Sequence, residues 1–216
     1  MLIGITGGIG SGKSVIAQQL RQMGYEVYDT DSQAKRLIVE DSKIREQITA
    51  LFGPEAYKDG VYQTAFVAQQ VFNANSPSPN SPSPNPLLAR LNAIVHPAVR
   101  QDILMKYKSL RVQEFSSSES LNSSSAASAP LLFIECAILY TAHLDELCDK
   151  VVVVTAPEDV RLARTIARDH SDIDKVRARM RAQNIEEDLN RADIIINNDG
   201  NTPIPILCEQ ILKELT

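Results

Sequence analysis

The sequence predicts an α/β protein built on a five-stranded parallel sheet, and three observations carry that prediction. The first is a short apolar run, Leu2-Ile-Gly-Ile-Thr6, that leads through a glycine-rich turn into helically spaced apolar residues. The second is a set of apolar runs of strand length: Tyr25–Tyr28, Leu131–Cys136, Lys150–Ala156 and Asp193–Asn197. Continuous runs such as Val151-Val-Val-Val154 suit strands buried on both faces, as in a parallel sheet. The third is the helical periodicity between these runs, which gives the alternation of a doubly wound sheet.

The N-terminal stretch carries G-x-x-x-x-G-K-[ST] from Gly7 to Ser14. In this pattern glycines bring backbone N–H groups onto phosphates with no side chain in the way. Lys13 can reach the outer phosphate oxygens and the Ser14 hydroxyl can ligate Mg²⁺. Val15, Ile16, Leu20 and Met23 follow at helical spacing, and Gly24 stops the helix. Strand, glycine turn and helix in that order aim the positive end of the helix at a bound anion. The competing reading is a glycine-rich turn with an incidental Lys, and the strand-to-helix setting speaks against it.

Composition narrows the function classes. A net charge of −5 and a pI near 5.3 argue against general nucleic-acid binding, which usually shows a basic excess. Cys136, Cys148 and Cys208 are odd in number, widely spaced and without a C-x-x-C, as in a reduced chain. The N-terminus lacks the basic region of a signal peptide, and no segment approaches membrane-spanning length. The expected location is therefore cytoplasmic, with no membrane partner.

After Gly24, the second strand ends in Asp29-Thr-Asp31, which sets two carboxylates at the sheet edge where ligands bind in open α/β folds. Asp29, Thr30 or Asp31 can equally cap the helix suggested by Gln33–Ile38. Ile44, Ile48 and Leu51, then Phe66, Val67 and Val71, predict a helical insertion. The tract Asn75–Asn85 is a duplicated Ser-Pro run without apolar residues and reads as a solvated loop. Leu87–Ile94 is helical, His96-Pro97 is expected to break the helix, and Ala98–Leu110 to resume it. The Ser-rich run 116–128 reads as part of a flexible link over about residues 115–130.

Between the fourth and fifth strands the chain is dense in arginine, and Arg161, Arg164 and Arg168 fall at i, i+3 and i+7. On a helix started at Pro157 they share one face. One-sided guanidinium display suits phosphoryl transfer, in which charge builds on the transferred group. The alternative is a solvated face balanced by Glu158, Asp159 and Asp169.

At this point the chain resembles the dephospho-coenzyme A kinases. The resemblance rests on Thr6–Ser14, Tyr28-Asp-Thr-Asp31 with Lys35, Phe52-Gly53, Leu91–Arg100, Arg168-Asp169, and Ala192-Asp193 with Asn197–Gly200, and so spans nearly the whole chain. It implies a P-loop kinase-type five-stranded parallel sheet with helices on both faces, a helical substrate-binding insertion over about residues 32–110 and an Arg-rich lid over about 157–187. The core would then comprise residues 1–31, 131–156 and 188–216. It further implies transfer of the ATP γ-phosphate to the ribose 3′-hydroxyl of dephospho-coenzyme A, the last step of coenzyme A synthesis, with Mg²⁺.

Carried over by position, the resemblance makes Gly8, Ile9, Gly10, Ser11, Gly12, Lys13, Ser14 and Val15 the ATP phosphate loop, with Asn198 on the adenine side. Asp31 becomes the base. Lys35, His96 and Arg100 join it as substrate contacts, and Arg164 and Arg168 act from the lid beside Lys13. His96, before a proline, has packing or capping as its alternative role. Members usually carry Pro-Leu-Leu-x-Glu after the third strand, whereas this chain has Ala137-Ile-Leu-Tyr-Thr141 and lacks the terminal Glu; Glu135 at the strand end is a candidate carboxylate near Mg²⁺ in its place. The Ser-Pro and Ser-rich runs look like insertions relative to the family. Rival readings are another nucleoside or nucleotide kinase, or a GTP-binding switch. The latter needs N-K-x-D, and Asn197-Asn-Asp199 lacks the Lys.

Overall fold

A computed structural model describes residues 1–72, 86–118 and 130–215. Its chain divides into two compact units, Met1–Asp29 with Tyr107–Thr216, and Thr30–Lys106. The first unit holds a five-stranded sheet of β1 (Leu2–Thr6), β2 (Glu26–Asp29), β5 (Leu132–Glu135), β6 (Lys150–Thr155) and β7 (Ile194–Asn197). The order is β2-β5-β1-β6-β7 and every pairing is parallel. The five strands and the fold class expected from the sequence are both present, with strand ends shifted by about one residue as end-fraying allows.

Helices α1 (Lys13–Gln22), α6 (Glu158–Asp169), α7 (Ile173–Arg181), α8 (Ile185–Asn190) and α9 (Ile204–Glu214) complete this unit, with the last turns of α5 (Pro86–Ser118). Strand alternation sends Ile3 and Ile5 into a cluster with Ile16 and Leu20 of α1, Phe133, Val152, Val154, Ile194 and Ile196, closed by Leu207, Cys208 and Ile211 of α9. On the opposite face the α-carbon of Gly4 lies against the side chains of Leu139 and Cys148. The Met1 ammonium donates to the Tyr107 hydroxyl at 2.9 Å and the Pro130 carbonyl at 2.6 Å.

In the second unit, α2 (Thr30–Glu40), α3 (Ser42–Phe52), α4 (Thr64–Phe72) and the start of α5 surround the hairpin β3 (Tyr57–Lys58) and β4 (Val61–Tyr62). Ile44, Ile48, Val67 and Val71 are buried there, as their spacing predicted, whereas Leu51 and Phe66 of the same pattern are only half-buried. Asp41 caps α3, accepting from the Lys43 and Ile44 amides at 2.8 and 3.1 Å.

Three local expectations need correction. The helix does not break at His96-Pro97, because α5 runs from Pro86 to Ser118 with Pro97 inside it. Val95, Val99 and Ile103, one turn apart, are buried. Burial worth roughly 1.5–3 kcal/mol per side chain outweighs a cost of about 3 kcal/mol for an interior proline. Residues 116–118, assigned to a flexible link, form the end of α5; the rest of that link up to residue 129 and the Ser-Pro tract lie outside the described residues. Val15 and Met23 proved exposed, and α1 instead buries Ile16, Ala17 and Leu20.

Because Pro97 is exposed and withholds only its own N–H from the helix, Pro97→Ala is expected to raise the unfolding free energy by about 2–3 kcal/mol. That figure is the roughly 3 kcal/mol helix penalty less up to about 1 kcal/mol of proline's restriction of the unfolded chain. Urea unfolding measures it, and a loss of stability would show that the helix depends on Pro97 itself.

Candidate active site

The glycine loop leaves β1 at Thr6 and enters α1 at Lys13. Gly10 and Gly12 have φ of 77° and 92°, in the left-handed region. A Cβ at Gly10 would overlap the Arg161 carbonyl, and one at Gly12 the Asn198 side-chain amide. Both positions therefore exclude any side chain twice over. Gly12 begins α1, its carbonyl accepting from the Val15 and Ile16 amides at 3.0 and 3.1 Å. The first turn of α1 has no acidic residue and no side-chain cap. A helix start without an acidic first-turn residue or a side-chain cap is one whose dipole favours an anion.

Side chains from the far end of the sequence hold this loop. Asn198, buried beyond β7, donates its side-chain N–H to the Ser11 carbonyl at 2.9 Å while its own amide donates to the Thr155 carbonyl at 2.8 Å. Arg164 donates to the Asn198 carbonyl at 2.9 Å and to its Oδ1 at 3.4 Å. Gln183, between α7 and α8, accepts from the Ile9 amide at 2.8 Å. Sequence reasoning missed Gln183, since a lone Gln after an Arg-rich helix carries no motif. Asn198 sits under the loop at Ser11 and Gly12, a position that sequence alone did not specify.

The three arginines of α6 have different surroundings. Arg168 is exposed and donates to Asp169 at 2.6 and 3.1 Å, and Arg179 adds a third bond to Asp169 at 3.2 Å. Hydrogen bonding from Arg168, then from Arg179, holds the Asp169 carboxyl down at about 2, so this cluster stays ionised until the pH falls towards that value. Arg164 is committed to Asn198. Arg161 lies against Gly8 and Ile185.

At the carboxyl edge of the sheet, the Ser14 hydroxyl donates to the buried Glu135 carboxylate at 2.5 Å. Asp29 is the register partner of Glu135 in the neighbouring strand. Lys13 is half-buried at the start of α1. Among the described residues no cluster of three or more His, Cys, Asp or Glu side chains could hold a metal on its own. Burial pushes the Cys148 thiol up to about 12 and Cys208 to about 11, which removes both as thiolate nucleophiles.

In the second unit, Thr30 opens α2, so Asp29 holds the position before the helix and Asp31 lies in its first turn. Asp31 pairs with Lys35 at 3.6 Å across one turn, both side chains being exposed. His96 and Arg100 lie one turn apart on α5, half-buried. Arg36 bonds Asp102 at 2.7 Å. A cleft of about 420 Å³ in this unit is lined by Leu37, Glu40, Lys43, Gln101 and Met105, and it includes none of the sequence-predicted site residues.

A phosphate loop after the first strand of a parallel sheet in this order, with an arginine-bearing helix against it, defines a P-loop kinase fold. The family model for dephospho-CoA kinase matches residues 1–203, and the chain belongs to that family. A dephospho-CoA kinase of Porphyromonas gingivalis is 37% identical over 211 residues, 98% of this chain and 91% of the relative. Among solved structures, a Thermus thermophilus protein is similar with a TM-score of 0.71 at 32% identity, covering 100% of this chain and 98% of that one. A dephospho-CoA kinase from Campylobacter jejuni shares the fold at a TM-score of 0.64 and 23% identity, over 99% and 96% of the two chains.

The role of Asn198 in holding the loop has a direct test. Asn198→Asp keeps the shape but turns the donor toward the Ser11 carbonyl into a carboxylate oxygen. The expected loss is about 1–3 kcal/mol of stability, as for a buried polar group left unpaired. Unchanged thermal melting would show that the Asn198–Ser11 bond does not support the loop.

Proposed function

We propose that this protein phosphorylates the ribose 3′-hydroxyl of dephospho-coenzyme A with ATP, giving coenzyme A and ADP. The observation that carries the reading is the glycine loop itself, with its uncapped helix N-terminus, in a chain of the dephospho-CoA kinase family. Catalysis in such a site is chiefly positioning and charge stabilisation. The Gly8–Ser14 loop and the Lys13 ammonium bind the ATP phosphates, while Val15 lies at the loop's exit. Asn198 supports the loop from the adenine side.

The residues present suit Mg²⁺, a hard cation that takes oxygen ligands and keeps several waters: a loop hydroxyl, Ser14, is already bonded to a carboxylate, Glu135. Ser14 would be the direct ligand and Glu135 its neighbour. The bound ion would neutralise charge shared by the outer phosphates. This arrangement uses the strand carboxylate in place of the Glu that Thr141 replaces.

Asp31 orients the acceptor hydroxyl and takes its proton, with Lys35 beside it, and His96 and Arg100 bind the acceptor's own polar and phosphate groups. Arg164 and Arg168 are lid residues in this reading: Arg164 acts through Asn198 and Arg168 meets charge developing on the transferred group. Residues 157–187 form the lid and 32–110 the acceptor-binding subdomain. A cytoplasmic site of action is part of the proposal, supported by the thiols Cys136, Cys148 and Cys208, none of them in a disulfide.

A panel of ATP or GTP with dephospho-coenzyme A, adenosine or a nucleoside monophosphate, read by ADP or GDP release, tests the function. ADP formation is expected with ATP and dephospho-coenzyme A, and turnover confined to another acceptor would overturn the reading. Within that assay Asp31→Asn should lower kcat by about 10²- to 10⁴-fold with folding and ATP binding kept. Asp29→Asn should do less, because Asp29 closes β2 whereas Asp31 lies in the first turn of α2, so the two carboxylates are set on different elements. The reverse ranking in folded proteins would exchange their roles.

A further inference from the structure

Arg161 is the arginine of α6 that the preceding reading does not use. Its Nε and Nη1 are buried and without a hydrogen-bond partner, and no ion pair joins it to a carboxylate among the described residues. Its backbone carbonyl accepts from the Thr165 hydroxyl at 2.7 Å and packs over Gly10. Its Nη1 lies closest to where a Cβ on Gly8 would be, with Ile185 Cδ1 at 2.7 Å and Gln183 Oε1, already bonded to the Ile9 amide, at 3.4 Å from the same point. The other α6 arginines are engaged with Asn198 and Asp169. Two buried guanidinium nitrogens without a hydrogen-bond partner, on a side chain that is half-buried as a whole, are unfavourable by themselves, because their desolvation is not offset by an acceptor. The glycine loop it touches is a site for a polyanion, and the acceptors such a group needs are phosphate oxygens.

We infer that Arg161 is a direct ligand for a phosphate oxygen of bound ATP, on the Gly8 arm of the loop, opposite the arm that carries Lys13 and Ser14. The inference rests on the reading that the loop binds ATP. Two cationic groups then approach the phosphates from opposite sides, one from α1 and one from α6. The buried N–H groups of Arg161 gain partners only when the nucleotide is present, so its contribution is ligand-dependent in a way that a structural arginine's is not.

Equilibrium binding of ATP and of ADP, without an acceptor, together with melting temperatures with and without nucleotide, tests this on wild type, Arg161→Met and Arg161→Lys. Arg161→Met should melt no lower than wild type when ligand-free, because it removes a buried unpaired charge. Its ATP dissociation constant should rise about 10- to 100-fold, as for a lost charge-assisted hydrogen bond, with a smaller nucleotide-induced rise in melting temperature. Arg161→Lys should recover part of the loss. A larger effect on ATP than on ADP assigns the contact to the terminal phosphate, and an equal effect assigns it to an inner one. An ATP affinity within twofold of wild type in Arg161→Met overturns the inference and leaves the kinase reading standing. So does a ligand-free melting temperature that drops while the nucleotide-induced rise is unchanged. Failure of the wild-type protein to bind ATP would overturn both.

Discussion

The bond from the Asn198 side chain to the Ser11 carbonyl is the contact on which the site depends. A loop with glycines at positive φ loses much conformational freedom when ordered, and its own backbone supplies little to hold it. The Ser11 amide reaches back only to Gly8, at 3.1 Å. What fixes the loop comes from distant sequence: Asn198 from beyond β7, Gln183 from between α7 and α8, and the Arg161 carbonyl from α6. Asn198 is in turn fixed by the Thr155 carbonyl and Arg164, so the parallel register of β1, β6 and β7 is transmitted to the phosphate site through one amide.

The arginine-rich helix serves several tasks at once. Arg164 holds Asn198, and Arg168 with Arg179 encloses Asp169 in an exposed ion cluster. Exposed pairs of that kind add little stability, so their value lies in geometry, joining α6 to α7 around the turn between them. Within α6 only Arg161 carries buried nitrogens with no hydrogen-bond partner, and they lie beside Gly8 of the loop.

The core of the fold was legible because its signals are local. Continuous apolar runs mark strands buried on both faces, and G-x-x-x-x-G-K-S fixes the turn between β1 and α1. The helix across Pro97 was not legible, since the burial of Val95, Val99 and Ile103 that offsets the proline is tertiary. The hairpin turn was missed although Asp59-Gly60 is a strong turn signal and both residues have positive φ, at 51° and 80°. Its strands have two residues each, too short to show alternation. In the site, residue types at motif positions identified the loop. Gln183 and the division of work among the three arginines depend on which side chains meet across sequence separations such as 174 residues between Ile9 and Gln183, and no local pattern encodes that.

The central claim is that the loop is held in its phosphate-binding form before nucleotide arrives, by side chains from residues 161–198. Hydrogen exchange of the Ile9 amide in the ligand-free protein tests it most directly, because the only group that this amide is seen to bond is Gln183. The account predicts that Ile9 exchanges more slowly than an unfolded chain without ATP, and that Gln183→Ala removes this protection while the β1 amides keep theirs. An Ile9 amide that exchanges at the unprotected rate until ATP is added would contradict it, and would show that the nucleotide itself builds the loop.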